Sequence, residues 1–131
     1  MIFTTLRQLA DRVETLVASA NDDDMTWWQV NSAIWRYVGR PDHPRWHHEA
    51  DRNVWWWGDP REDVDWDRYA PQYLSSWDAA YGLVLPGWRL ALAGTGAEWT
   101  AGLANGDKFV GSSAPGAPQA IVAAAIRSRF A

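Results

Sequence analysis

His43, His47, His48, Glu49 and Asp51 bring metal-ligand residue types close together, and a cluster of imidazoles and carboxylates is what a zinc site needs. His43 and His47 stand four apart, but Pro44 disrupts any helix that would carry both, and the H-E-x-x-H pattern is absent. The segment therefore reads as a solvated polar loop, with no metal site. Asp59, Glu62, Asp63, Asp65 and Asp67 form a second candidate, for acid–base work or a divalent ion. They lack calcium-loop spacing, and a run of like charge is ordinarily a solvated face. No Ser-His-Asp order, Gly-x-Ser-x-Gly or phosphate-binding Gly loop occurs. Gly94-Thr95-Gly96 is a turn, because a strand rather than a helix follows it. The chain is read as a non-enzyme without a cofactor.

Composition bounds the rest. The 131 residues suit one compact domain, 1–131, with a core that needs neither disulfides nor a structural metal. There is no cysteine, which excludes thiolate chemistry and fits a reducing compartment. The net charge of −4 argues against a nucleic-acid coat, and Lys108 is the only lysine beside eleven arginines. No stretch approaches the ~18 apolar residues of a membrane span, and the N-terminus does not read as a signal peptide. A cytoplasmic protein away from the membrane is expected. Eleven tryptophans are far more than a core of this size needs. Trp is seldom fully buried, so some of these rings should meet a partner, a ligand or another copy.

The elements follow from periodicity. Residues 4–20 read as an amphipathic helix with Leu6, Leu9, Ala10, Val13, Leu16 and Val17 on one face, and Thr5 and Gln8 at capping-box spacing. Residues 27–38 read as a second helix, with Thr26 and Gln29 as its capping pair and Gly39 just past its end. It carries two apolar stripes, one of Trp27, Val30, Ile34 and Val38, the other of Trp28 and Trp35. Residues 40–72 form an irregular Trp-rich insert in which 53–57 could be a short strand. Ser75 or Ser76 can cap a short helix running to Val84, ended by Pro86-Gly87. Strands follow around Leu90 and Leu92 and around Ala101 and Leu103. Asn105-Gly106 signals a hairpin, with 108–111 as the return strand and 112–116 as a loop. Pro118 suits the first turn of a closing helix over 120–130, whose last turn holds Arg127 and Arg129. Within 73–131 the order is helix, three strands, helix. One sheet face suits the two flanking helices, the other the N-terminal helices of 4–38. The expected fold is α+β, an α/β/α sandwich with a three- to four-stranded antiparallel sheet. Double-stranded-RNA-binding domains share the helix–strands–helix order but start their last helix with cations, and 117–120 here has none, so duplex nucleic acid is not an expected partner.

Specific residues in the second half carry a resemblance. Pro71 and Tyr73, the pair Ser75-Ser76, Asp78-Ala79-Ala80, Pro86-Gly87-Trp88 and Ala117-Pro118 before an Ala-rich helix resemble the phage ABA-sandwich domain family. The likeness covers about residues 71–131 and, more loosely, the first helix and the one holding 31–34. Ala117 stands where the family prefers Thr, and the Trp-rich insert departs from its pattern. The best-understood members are anti-Thoeris proteins, which sequester cyclic ADP-ribose signals without chemistry; some relatives hold cyclic oligonucleotides, and the proteins are homo-oligomers with pockets at subunit contacts. The resemblance implies a phage counter-defence protein of that kind in the bacterial host cell, binding a small cyclic nucleotide.

Such a ligand asks for aromatic faces to stack the base, Arg for phosphate and small polar groups for ribose. Tyr73, Ser75 and Ser76 before one helix, Ser112 and Ser113 before another, and Arg89, Trp99, Lys108 and Phe109 on the neighbouring strands supply that set. The same residues also have an ordinary reading, in which a serine caps the helix and Trp99 and Phe109 are core. A second function stays open, a module that inhibits a host defence protein through a Trp/Arg-rich surface. Arg40, Arg45, Arg52, Arg61 and Arg68 are interleaved with the insert's tryptophans, and interfaces favour both residue types. Trp28, Trp35, Trp55, Trp56 and Trp57 are its candidate interface residues. Trp46 and Trp66 are expected to face inward. Three successive strand residues cannot share a face, so part of 55–57 must point away from the core.

Overall fold

A computed structural model describes residues 5–17, 24–39, 46–49, 54–57 and 71–131. Helix α1 spans Leu6–Thr15, α2 Asp24–Ile34, followed by a π-helical turn at Trp35–Gly39. Strands β1 (Trp46–Glu49) and β2 (Val54–Trp57) form an antiparallel pair. Helix α3 spans Trp77–Tyr81, and strands β3 (Arg89–Gly94), β4 (Trp99–Asn105) and β5 (Lys108–Ala114) form a second antiparallel sheet in the order β3-β4-β5. Helix α4, Ala117–Ser128, follows. The class is α+β, with a three-stranded antiparallel sheet flanked by helices, as the sequence pattern implies. Among the described residues no helix is long and apolar enough to cross a membrane.

The core is organised around α4. Ala120, Ile121, Val122, Ala123, Ala124, Ala125 and Ile126 are all buried, so this helix has no solvent face. It packs on the sheet through β4 and β5, and on α1 and α3 through its other sides. Leu90, Leu92, Ala101, Leu103, Val110, Ser112 and Ala114 form the sheet surface beneath it; alternation along paired strands puts them on one face. The N-terminal helix was expected over the opposite face and instead lies against α4, meeting the sheet at β5. The physical reason is apolar demand: α4 needs cover all round, whereas the opposite face offers only Ala, Gly, Thr and Ser besides Arg89 and Phe109.

Polar contacts fix how α4 meets its neighbours. Gln119 is buried, and its amide donates to the carbonyls of Leu16 (2.6 Å) and Val13 (3.3 Å), two of the acceptors a helix end leaves open. That explains why α1 ends at Thr15 rather than near residue 20. Thr5 caps its start by accepting from the Gln8 amide, as its spacing predicts. Arg127 donates to Glu14, to Asp11 (2.6 Å) and to the Ser112 hydroxyl (3.2 Å), joining α4 to α1 and β5. Burial works against its charge, but the carboxylates of Asp11 and Glu14 outweigh it and hold the guanidinium above its ordinary pKa. Arg129 donates to the carbonyls of Leu83 (3.0 Å) and Ala125 (2.8 Å), bridging the segment after α3 to the last turn of α4. Burial lowers its pKa, with Tyr73 acting in the opposite direction.

Other boundaries moved for local reasons. Helix α2 begins at Asp24, within the acidic run that suits a helix N-terminus, three residues before its expected start. Gly39 belongs to the π-helical turn, not to a position beyond the helix. Strand β1 was not expected; it pairs with the foreseen strand at Trp46↔Trp57 and His48↔Trp55. Strand β5 runs to Ala114, so Ser112 and Ser113 are strand residues rather than loop. Asn105 pairs with Lys108, so the tight turn is Gly106-Asp107, with Gly106 supplying the positive φ of +63°. Replacing Gln119 by Leu should cost about 1–3 kcal/mol, because the Leu16 and Val13 carbonyls lose their donor in a buried setting. Urea denaturation reads this directly, and an unchanged midpoint would contradict the role given to Gln119.

Candidate functional site

The proposed ligand residues divide between the core, a helix cap and the two sheet faces. Tyr73 is buried, with its hydroxyl packed so closely over Gly39 that a Cβ there would collide with it. Ser75 is exposed, and the Ser76 hydroxyl accepts from the Ala79 amide at 3.2 Å, so Ser76 is the cap of α3. Ser112 is buried beneath α4, engaged by Arg127. Lys108 is exposed at the Gly106-Asp107 turn. These five positions do not form one cluster with the remainder: Ser112 faces α4, Lys108 sits at the end of the β4–β5 hairpin, and Tyr73, Ser75 and Ser76 belong to the segment that leads into α3.

Arg89 and Phe109 do come to one surface. Register puts Arg89, Ala104 and Phe109 in one row across the sheet, then Ala91, Gly102 and Gly111, then Ala93, Thr100 and Ser113. All nine lie on the face opposite α4, and among the described residues that face stays open. Phe109 is 70% exposed and its ring leans over Gly102, where a Cβ would stand 3.0 Å from the ring. The Thr100 and Ser113 hydroxyls are 2.8 Å apart at the other end. Strand spacing makes this floor about 10 Å across and about 13 Å long. One aromatic ring, one exposed guanidinium and two hydroxyls thus border a shallow surface paved with Ala and Gly. The chemistry on offer is stacking, charge pairing with an anion and hydrogen bonding to a hydroxyl-bearing group. Sequence reasoning found Arg89 and Phe109 but missed Thr100, whose place became visible only once Ser113 proved to be a strand residue.

Trp99 lies on the helix-facing side, at the end of β4. Its indole rests flat on Gly94, where any Cβ would collide with it. Trp77 meets it edge-to-face, centroids 6.0 Å apart and planes at 87°. Trp77 is 53% exposed, and Tyr81 one turn on is 61% exposed. The missed signal was their i, i+4 spacing on a five-residue helix whose buried member is Ala80.

Of the candidate interface residues, Trp35 is partly buried against the core from the π-helical turn. His47, His48 and Glu49 belong to strand β1, not to the loop expected of them, because they pair with 54–56; their side chains, the rings of Trp28, Trp46, Trp55, Trp56, Trp57 and Trp66, and the acidic run 59–67 lie outside the described residues. Among the described residues no group of three or more His, Asp or Glu could hold a metal ion. The hydroxyl of Ser32 is buried without a hydrogen-bond partner, one turn before the π-helical turn. Gly94→Ala should displace the Trp99 indole and cost about 1–3 kcal/mol. Its near-ultraviolet circular dichroism should lose the same component as Trp77→Phe, and an unaltered spectrum would contradict the ring contact. Comparison of the chain with protein-family models, with curated proteins and with solved structures finds no match.

Proposed function

We propose that this chain is a non-catalytic binding protein that sequesters a cyclic nucleotide signal, a cyclic ADP-ribose isomer or a cyclic oligonucleotide, on the open face of the β3-β4-β5 sheet. The observation that carries this reading is the pairing of Arg89 and Phe109 on one exposed floor, with the Thr100–Ser113 hydroxyls at its far end. Phe109 would stack the base, Arg89 would pair with phosphate, and the hydroxyls would meet ribose. The Phe109 ring itself lies over Gly102 and Gly111, and the small side chains of Ala91 and Ala93 keep the floor beside it low. The resemblance to phage ABA-sandwich proteins supplies the biological setting, counter-defence in the bacterial cytoplasm, by a homo-oligomer whose second copy would close over the ligand. Binding by this route removes the signal stoichiometrically and leaves it intact.

Native mass spectrometry of the protein against cyclic ADP-ribose isomers and cyclic oligonucleotides reads oligomer and ligand together. A saturable complex that releases unaltered nucleotide on heating is the expected result. Arg89→Ala and Phe109→Ala should each weaken it about 10- to 100-fold, as loss of a charged hydrogen bond or a stacked ring does, without lowering the melting temperature. A monomer that binds none of these nucleotides would sink the reading.

A further inference from the structure

The outer edge of β3 has no strand beside it among the described residues, whereas β5, at the other end of the sheet, meets α1. Asn105 and Lys108 close a two-residue turn, and such a pair exchanges both of its backbone hydrogen bonds. Alternation from that pair turns the backbone N–H and C=O groups of Arg89, Ala91 and Ala93 toward β4, and those of Leu90 and Leu92 outward. Proteins ordinarily block such an edge with a proline, a lysine, a bulge or a very short strand. Strand β3 has none of these: its six residues, Arg-Leu-Ala-Leu-Ala-Gly, pair with β4 in unbroken register. Helix α4 lies over β4 and β5 and barely reaches β3, so Leu90 and Leu92 are left partly buried. An unpaired backbone ladder and half-covered leucines thus coincide on one edge.

We propose that this edge pairs antiparallel with β3 of a second copy of the chain, about a two-fold axis at Ala91. The strand is complementary to itself in that register. Opposite residues of an antiparallel pair share a sheet face, so Leu90 meets the partner's Leu92 on the α4 side, and Leu92 meets the partner's Leu90. Ala91 meets the partner's Ala91 on the open side, and Arg89 meets the partner's Ala93. The two guanidiniums stand at opposite ends of the pairing, and no like charges face one another. The outward backbone groups of Leu90 and Leu92 gain partners, and leucine packs on leucine where α4 gives out. Two three-stranded sheets become one continuous sheet. On its open side the row Phe109, Ala104, Arg89 runs on into the partner's Ala93, Thr100 and Ser113. The partner's Thr100 then stands two strands, about 10 Å, from Arg89. The use of that joined row by a ligand rests on the nucleotide reading of the open face. The pairing itself does not, and it is separate from a copy that closes over the ligand.

Ala91 is exposed, and in the pairing its side chain faces its own copy across the axis. Sedimentation equilibrium of the full chain, without nucleotide, measures the dissociation constant of the dimer. Ala91→Lys and Ala91→Glu should each raise that constant about fivefold, because like charges directly opposite one another on paired strands repel. An equimolar mixture of the two variants should recover the parent's constant or a tighter one, since Lys then faces Glu. Far-ultraviolet circular dichroism matching the parent's would show that each variant is folded, and recovery in the mixture shows it independently. A monomeric parent, a variant that dimerises as tightly as the parent, or a mixture no tighter than either variant alone would each overturn the pairing. These readouts need no nucleotide, so a failed pairing and a failed nucleotide site are told apart.

Discussion

A helix whose every side is apolar must be covered on every side, and this requirement on α4 governs the rest of the molecule. Ala120, Ala123, Ala124 and Ala125 keep it slender, so that a sheet and two helices can approach it together. The polar groups that would otherwise be stranded by that enclosure are placed where they serve neighbouring elements. Gln119 completes the end of α1, Arg127 joins α1 and β5, and Arg129 holds the carbonyl after α3. Each is thus a junction between layers, and the open sheet face is the complement of this economy. With α1 committed to α4, no helix among the described residues is left to lie on Ala91, Gly102 and Gly111.

The part of this arrangement written most plainly in the chain is the part with strict periodicity. Alternation across Leu90, Leu92, Ala101 and Leu103 announces two strands, and the Ala-rich run with Pro118 near its start announces α4. What escaped was set by partners far away in sequence. The end of α1 depends on Gln119, more than a hundred residues on. The length of β5 depends on Ser112 meeting Arg127 and Ser113 meeting Thr100, and serine is a poor strand former with no such partner in view. The placement of α1 on α4 is a competition between two surfaces, and no local pattern states which of them is the more apolar.

The candidate site shows the same division. Arg89 and Phe109 stand in one row of the sheet, two strands apart, a relation fixed by register and hence in part by the Gly106-Asp107 turn. Tyr73, Ser76 and Ser112 carry suitable chemistry for a ligand but are spent on packing, capping and an ion-pair network. The tryptophans divide likewise. Trp99 is fixed by the glycine beneath it, and Trp77 by the Ser76 cap that starts its short helix.

The order of elements along the chain gives α4 a further consequence, in time rather than in space. Each of α1, α3 and the β3-β4-β5 sheet buries its apolar side against a helix that is synthesised after all of them. Until residues 117–128 have emerged, a nascent chain presents Leu90, Leu92, Leu103 and Val110 on a sheet with no cover. Contacts such as Gln119 with Leu16 close a loop of most of the chain, which slows assembly. The growing polypeptide should thus depend on chaperones until its final helix arrives, and fold in one late event instead of element by element.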